Sequence, residues 1–459
     1  MKKPPRSLFV GIVISEIAIL VIAFMMLLRF VFIDESDYSF KNYFDSELVD
    51  SESVYTLVIF SIVLLIALVV LTVSVFTVLI PLKKKYARIR KPKTKRRDKK
   101  KARFPQLTRI DKEEAGKTIA EYEEIELCKL CERFRDFAAG RLGLYYDISD
   151  IRRFVAGMGI SKLMILRGMS GTGKTSLAYA AGEFFCNPST VVPIQPMWKE
   201  RSDMIGYFNE FTKKFSETTM LCKLYEAGGS SDVYVTVLDE VNISRIEYYF
   251  AEFLSVLELP ESSKRYIDVV SDSWPDDPKR LENGRLRLPV NMWFVGTANN
   301  DDSTFAISDK VYDRAVVIDL EKKCAPFTVQ EDVSACHVSY DALNGLYAEA
   351  KKKYMLSGES REKLKRLDEY LIEVFKISFG NRIMKQIEEY VPIMIACGGS
   401  ELQALDDIIS RKILRKLEQL SPAFVKSESD ALLSFIDKLF GADFFIQSRR
   451  YIEGLQKGY

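Results

Sequence analysis

The chain has 459 residues, 47% hydrophobic and 28% charged, which is room for about three domains and excludes a disordered or collagen-like polymer. The net charge of +2 hides two opposed blocks: residues 83–103 hold fourteen Lys/Arg and one acid, and residues 33–53 hold seven acids and one Lys. Residues 104–459 carry 47 basic and 55 acidic side chains, so nucleic acid is a disfavoured partner for the folded part. One His and seven Cys leave little for metal or His-based catalysis. Cys128 and Cys131 form a lone CxxC within 121–137, a stretch that reads as helix. Without a second pair they read as reduced thiols rather than zinc ligands.

In chain order, two apolar runs come first, at about 7–32 and 54–82. The first is interrupted only by Glu16 and Arg29, and the second has no charge. Each exceeds the roughly 20 residues that cross a bilayer as a helix. The first has no small-residue cleavage site and is too long for the core of a signal peptide. Positive flanks (Lys2, Lys3 and Arg6; then 83–103) and an acidic loop at 33–53 predict a membrane hairpin with both termini cytoplasmic. The basic run reads as a topology determinant on anionic lipid before it reads as a nucleic-acid site. Glu16, near the middle of its span, is either functional or a neutralised bundle residue. Residues 104–148 read as a charged, partly helical linker.

A short apolar run, 162–167, then enters Gly168-Met169-Ser170-Gly171-Thr172-Gly173-Lys174-Thr175-Ser176, followed by a helix-like run from Leu177. The pattern G-x-x-x-x-G-K-[ST] supplies glycines that let backbone N–H groups wrap phosphate oxygens, at a helix N-terminus. Lys174 reaches the terminal phosphates and the Thr175 hydroxyl ligates Mg²⁺. A second buried-strand run, 233–238, ends in Asp239-Glu240, placing a carboxylate for Mg²⁺ and one to polarise water. A third, 291–296, leads to Asn299, where a polar group can orient that water. Just before it, Asn283-Gly284 between alternating residues predicts a two-residue hairpin turn. Runs at 163–167, 191–196, 233–238, 292–297 and 315–319, separated by helical stretches, predict a parallel α/β sheet. From Ser339 onward the periodicity is that of amphipathic helices.

Together these motifs resemble AAA+ ATPases, and in wording the McrB-type branch related to the dynein, midasin and MoxR-like group, over about residues 140–420. GMSGTGKTS is similar to the Walker A motif, VLDEVN to Walker B and GTANNDDSTFAISDKVYDRA to the branch's G-T-x-N-x-x-D segment. The resemblance implies a P-loop NTPase sheet sandwiched by helices over 149–325, with an all-α lid over 326–459. It implies Asn299 as the sensor-1 residue, Arg314 as an arginine finger toward a neighbouring subunit, and Arg382 at a sensor-2 position. It implies a homo-oligomeric, hexameric ring. The segment VVPIQPMWKERSDMIGYFNEF resembles the stretch leading to the pore; Trp198, Tyr207 and Phe208 there read first as core and second as a grip on a polymer. Asn299 and Asp302 keep the spacing of the GTP-using members, so the base is open between ATP and GTP.

Three readings follow: a membrane-anchored ATPase that remodels a protein or membrane-associated partner; a McrB-like translocase on nucleic acid that requires a separate nuclease; or a scaffold in which nucleotide only controls assembly.

Overall fold

A computed structural model describes residues 102–114, 121–299, 304–320, 322–329 and 333–457, with seven helical positions between 59 and 70. Two units divide the chain, Met1–Asp98 and Lys99–Tyr459. The run at 7–32 and most of the run at 54–82 lie outside the described residues. Ile59, Ile62, Val63, Leu64, Ile66, Ala67 and Val70 are helical and exposed. Among the described residues no helix is long and apolar enough to cross a membrane.

The second unit is built on a five-stranded parallel sheet of β1 (Leu163–Gly168), β2 (Thr190–Pro193), β5 (Tyr234–Asp239), β9 (Met292–Asn299) and β10 (Val316–Asp319), in the order β10-β1-β9-β5-β2. The three central strands read as almost unbroken apolar runs because helices cover both faces. Alternation assigns the faces. Met164 and Leu166 enter one core with Val235, Val237, Trp293 and Val295, while Leu163 and Ile165 enter the other with Tyr234, Leu238 and Phe294. The first core is closed by α2 (Leu127–Leu142), α3 (Ile148–Met158), α4 (Lys174–Phe184) and the C-terminal helices. The second is closed by α6 (Thr219–Ala227), α7 (Ile246–Tyr249) and α8 (Ala251–Leu257).

Between β2 and α6 the chain inserts a five-residue helix, α5 (Arg201–Ile205), and an antiparallel hairpin, β3 (Gly206–Asn209) with β4 (Lys214–Glu217). A second insertion pairs β6 (Tyr266–Asp268) with β8 (Arg285–Arg287), and β8 with β7 (Leu281–Glu282). Its turn is Asn283-Gly284 with φ of 54° and 77°, the left-handed pair that this dipeptide supplies. The short α9 (Asp309–Tyr312) leads into β10. The C-terminal helices are α10 (Tyr340–Lys353), α11 (Gly358–Phe375), α12 (Gly380–Ala396), α13 (Glu401–Ile408), α14 (Pro422–Phe440) and α15 (Ile446–Lys457). The parallel sheet, the helices on both its faces and the C-terminal helical region are the α/β arrangement with a helical region that the sequence predicts.

Three local expectations differ from what is observed. The stretch 121–126 has no regular secondary structure and helix begins only at Leu127; Cys128 and Cys131 are free, and Cys131 is buried. Part of the stretch 104–148, expected as a charged, partly helical linker, belongs to the core of the second unit. The helix α1 (Pro105–Glu114) packs on α6, and Phe104 and Leu107 are fully buried in the second core. The run 405–420 is not one α-helix: after α13 it passes through a π-turn at Ile409–Ile413 and a 3₁₀ stretch at Leu414–Gln419. There Lys412 Nζ donates to the carbonyls of Tyr312 and Ala315 at 2.7 and 2.8 Å, and Arg411 Nη1 donates to Val317 O at 3.3 Å. These contacts hold the stretch against the end of α9 and the start of β10 at the point where the winding changes.

Candidate nucleotide site

The site is at the C-terminal edge of the sheet, where three adjacent strands end together. Gly168, the last residue of β1, is registered opposite Asn299, the last of β9, and Leu238 of β5 is opposite Gly296. The loop 168–173 turns directly into α4. Gly168 has φ of 152°, and a Cβ there would lie 2.4 Å from Leu320 O, so a side chain is excluded by backbone. Gly173, the N-cap of α4, has φ of 90°, and a Cβ there would lie 3.2 Å from the Tyr146 ring, whose hydroxyl donates to Gly173 O at 2.9 Å. Ser170 and Gly171 are exposed at the turn, Thr172 Oγ1 donates to Met169 O at 3.0 Å, and Ser176 is in the first turn of α4. The cradle opens to solvent at its tip and is fixed at both ends.

Lys174 is buried, and its Nζ donates to Gly168 O and Met169 O at 3.0 and 2.7 Å. The cation therefore lies under the loop, against carbonyls that a phosphate oxygen can replace. Thr175 Oγ1 donates to Asp239 Oδ1 at 2.8 Å. Thr297 Oγ1 donates to the same oxygen at 2.8 Å and accepts from the Glu240 N–H at 2.9 Å. Glu240 is exposed, with φ of 55°, a conformation uncommon for a residue with a side chain. Asn299 Nδ2 donates to Glu240 Oε1 at 3.5 Å. Asn242 Nδ2 ties the far side, donating to Asn299 O and Thr304 Oγ1 at 2.9 Å each.

Loop, hydroxyl, two carboxylates and amide thus converge at one edge. A hydroxyl and a carboxylate in contact are a fitting donor set for Mg²⁺, which binds few protein ligands and keeps several waters beside phosphate oxygens. Among the described residues no group of three or more His, Cys, Asp or Glu could hold a metal ion. Thr297, Tyr146 and Asn242 are the site residues that sequence reading missed. Asn242 stands inside VLDEVN, and Thr297 two places before Asn299; Tyr146 has no local signal.

Arg314 and Arg382 are not brought to this edge. Arg314 precedes β10, and its carbonyl accepts from Ser161 Oγ at 2.9 Å, ahead of β1. It therefore sits at the opposite, N-terminal edge of the sheet. Arg382, in the first turn of α12, is beside it: both guanidiniums pair with Glu258. Arg382, expected at the sensor-2 position, is thus away from the phosphate loop of this chain; Gln386 of α12 donates to Asp313 O at 3.1 Å and anchors that helix beside α9. Trp198 packs edge-on against Tyr249 at 5.7 Å and Phe208 against Trp274 at 5.9 Å, whereas Tyr207 is exposed. Phe211, at the tip of the β3–β4 hairpin, is 99% exposed.

A family profile described as a domain of unknown function (DUF8727) matches residues 338–458, the C-terminal helices. No curated protein matches the chain. Solved structures similar to it include a candidate ATPase from Cytophaga hutchinsonii, at 12% identity and a TM-score of 0.43, covering 72% of this chain and 96% of that one. A full-length MCM homolog from Methanopyrus kandleri is similar at 10% identity and a TM-score of 0.35, covering 63% of this chain and 61% of that one.

Proposed function

We propose that the chain is a membrane-anchored AAA+ hydrolase of nucleoside triphosphates, ATP by preference over GTP, working as a homo-oligomeric ring. The observation that carries the reading is the meeting of Lys174, Thr175, Asp239, Glu240 and Asn299 beside the glycine loop at one edge of the sheet. Loop N–H groups and Lys174 bind the β- and γ-phosphates. Thr175 and Asp239 would hold Mg²⁺, which when bound neutralises charge developing on the phosphate oxygens. Glu240 accepts a hydrogen bond from the attacking water and orients it in line, with Asn299 keeping the Glu240 carboxylate aimed. Arg314 of the adjacent subunit offsets charge in the transition state.

Membrane anchoring by spans at 7–32 and 54–82 rests on apolar length and flanking charge, supported by exposed apolar helical positions from Ile59 to Val70. On this reading the motor faces the cytoplasm and acts on a protein or membrane-associated partner. The net acidic charge of 104–459 disfavours a nucleic-acid track.

The test is Mg²⁺-dependent release of phosphate by purified protein. Lys174→Ala should lose nucleotide binding. Glu240→Gln should keep binding and lose about 10²–10⁴-fold in turnover, the range of a general acid–base contribution. Absence of hydrolysis in the wild-type chain, with both substitutions silent, refutes the enzyme. Stimulation by DNA or RNA favours the translocase reading instead.

A further inference from the structure

One carboxylate outside the nucleotide cradle holds both arginines. Glu258, the C-cap of α8, presents one oxygen to each: Oε2 accepts from Arg314 Nη2 at 2.5 Å, and Oε1 accepts from Arg382 Nη2. Arg314 is further fixed by Nη1, which donates to Lys310 O at 2.9 Å, while its Nε is buried without a partner. The two guanidiniums, Arg314 first, hold the Glu258 carboxyl below the usual range. The three side chains line a cavity of ≈650 Å³ at the N-terminal edge of β1, where Arg265, Arg314, Arg382 and Lys385 face Glu258, Asp313 and Glu389; Asp313 lies 3.9 Å from Arg382, and burial holds the Lys162 ammonium, over the Trp293 ring, well below the usual lysine range. The cavity is therefore a cationic recess with an internal anion already seated in it. A carboxylate that offers two oxygens to two guanidiniums makes the same contacts as two oxygens of a phosphoryl group.

We propose that Glu258 occupies, in the separate subunit, the place that the triphosphate of a neighbouring copy takes when the ring closes. The inference rests on the hydrolase reading and on Arg314 facing the next subunit. Glu258 does two things there. It keeps two like-charged guanidiniums together before assembly, so the fork is preorganised. It also has to be displaced, so subunits join productively only when the neighbour carries a more highly charged anion than one carboxylate. Assembly is thereby made conditional on bound nucleotide.

The test is sedimentation of the full chain in detergent with Mg²⁺ and a non-hydrolysable ATP analogue, reading the protein concentration at which half is assembled. Glu258→Gln keeps the shape and removes the competing charge. It should lower that midpoint about 3- to 10-fold, the worth of a half-exposed ion pair shared by two partners. In an Arg314→Ala background the same substitution should shift the midpoint less, because one of the released guanidiniums is gone. Glu258→Asp, too short to span both partners, should move the midpoint in the same direction by less, and it carries the test if the Gln variant does not fold. An unchanged or raised midpoint, or an undiminished shift in the Arg314→Ala background, overturns the proposal. If nucleotide binding proves independent of Lys174, the hydrolase reading fails and this one with it. If that binding is intact and the midpoint does not move, the Glu258 proposal fails alone.

Discussion

Thr297→Val removes one hydroxyl at almost constant volume, from a residue that is 2% exposed. That hydroxyl is the relay between two strand ends, accepting from the Glu240 N–H at 2.9 Å and donating to Asp239 Oδ1 at 2.8 Å. The substitution leaves the N–H without its acceptor and takes from the Asp239 carboxylate one of its two hydroxyl donors. A hydrogen bond to a charged group is worth about 1.5–3 kcal/mol, and a buried unsatisfied donor costs about 1–3 kcal/mol. Asp239 is half-buried and Glu240 exposed, so water restores part of both; the expected loss is about 2–4 kcal/mol. Urea unfolding of residues 99–459 should show a lower midpoint at an unchanged slope. Because the same N–H pins Glu240 at its positive φ, hydrolysis should fall further than nucleotide affinity. A stability change under about 0.5 kcal/mol, with turnover intact, would refute the reasoning.

Two other perturbations test how the motor is held together. Arg103 is 4% exposed; its guanidinium lies 4.3 Å from the Trp274 ring and 4.7 Å from Phe208, and it pairs with Asp272 at 2.5 Å and Asp277 at 3.4 Å. Arg103→Met should cost about 3–5 kcal/mol, because it leaves the Asp277 carboxylate buried without its cation although Asp272 turns to water; differential scanning calorimetry against wild type checks this, and an unaltered melting temperature contradicts it. Asp319 bridges Arg167, next to the phosphate loop, at 2.7 Å and Arg411 of the C-terminal region at 3.3 Å. Burial would raise its pKa, but the two arginines outweigh that and hold it below the usual carboxylate value. A folded pKa below the unfolded one gives stability that is present above about pH 4 and is lost as pH falls through the folded pKa. Asp319→Asn should therefore unfold at lower urea than wild type at pH 7, with the gap closing below about pH 4; a gap constant from pH 7 to pH 3 contradicts the assignment.

What could be read in the sequence was what is local. β1, the glycine loop and α4 are consecutive, so the spacing of Gly168, Gly173 and Lys174 defines the cradle without any tertiary knowledge. The central strands announce themselves because burial on both faces demands continuous apolar residues, as in β5 and β9. The Asn283-Gly284 turn follows from the backbone freedom of two residues. What could not be read depends on distant partners. Arg103 closes a run of cations that looks uniform, yet its guanidinium is caged by aromatics of two insertions. Phe104 and Leu107, set among charges, gave no periodic signal of their burial. Arg382 sits on a correctly expected helix, but its position beside Arg314 depends on how α12 packs against α9. The winding change after α13 falls where Arg411 and Lys412 hydrogen-bond to Tyr312, Ala315 and Val317, about a hundred residues earlier.

The central claim is that a triphosphate replaces the loop carbonyls as the partner of Lys174. The most direct measurement is a structure of Glu240→Gln residues 99–459 with Mg²⁺ and ATP. The account predicts Lys174 Nζ withdrawn from Gly168 O and Met169 O onto the β- and γ-phosphates, with the ion between Thr175 and Asp239. Nucleotide bound elsewhere, or Lys174 still on the loop carbonyls with the site saturated, contradicts it.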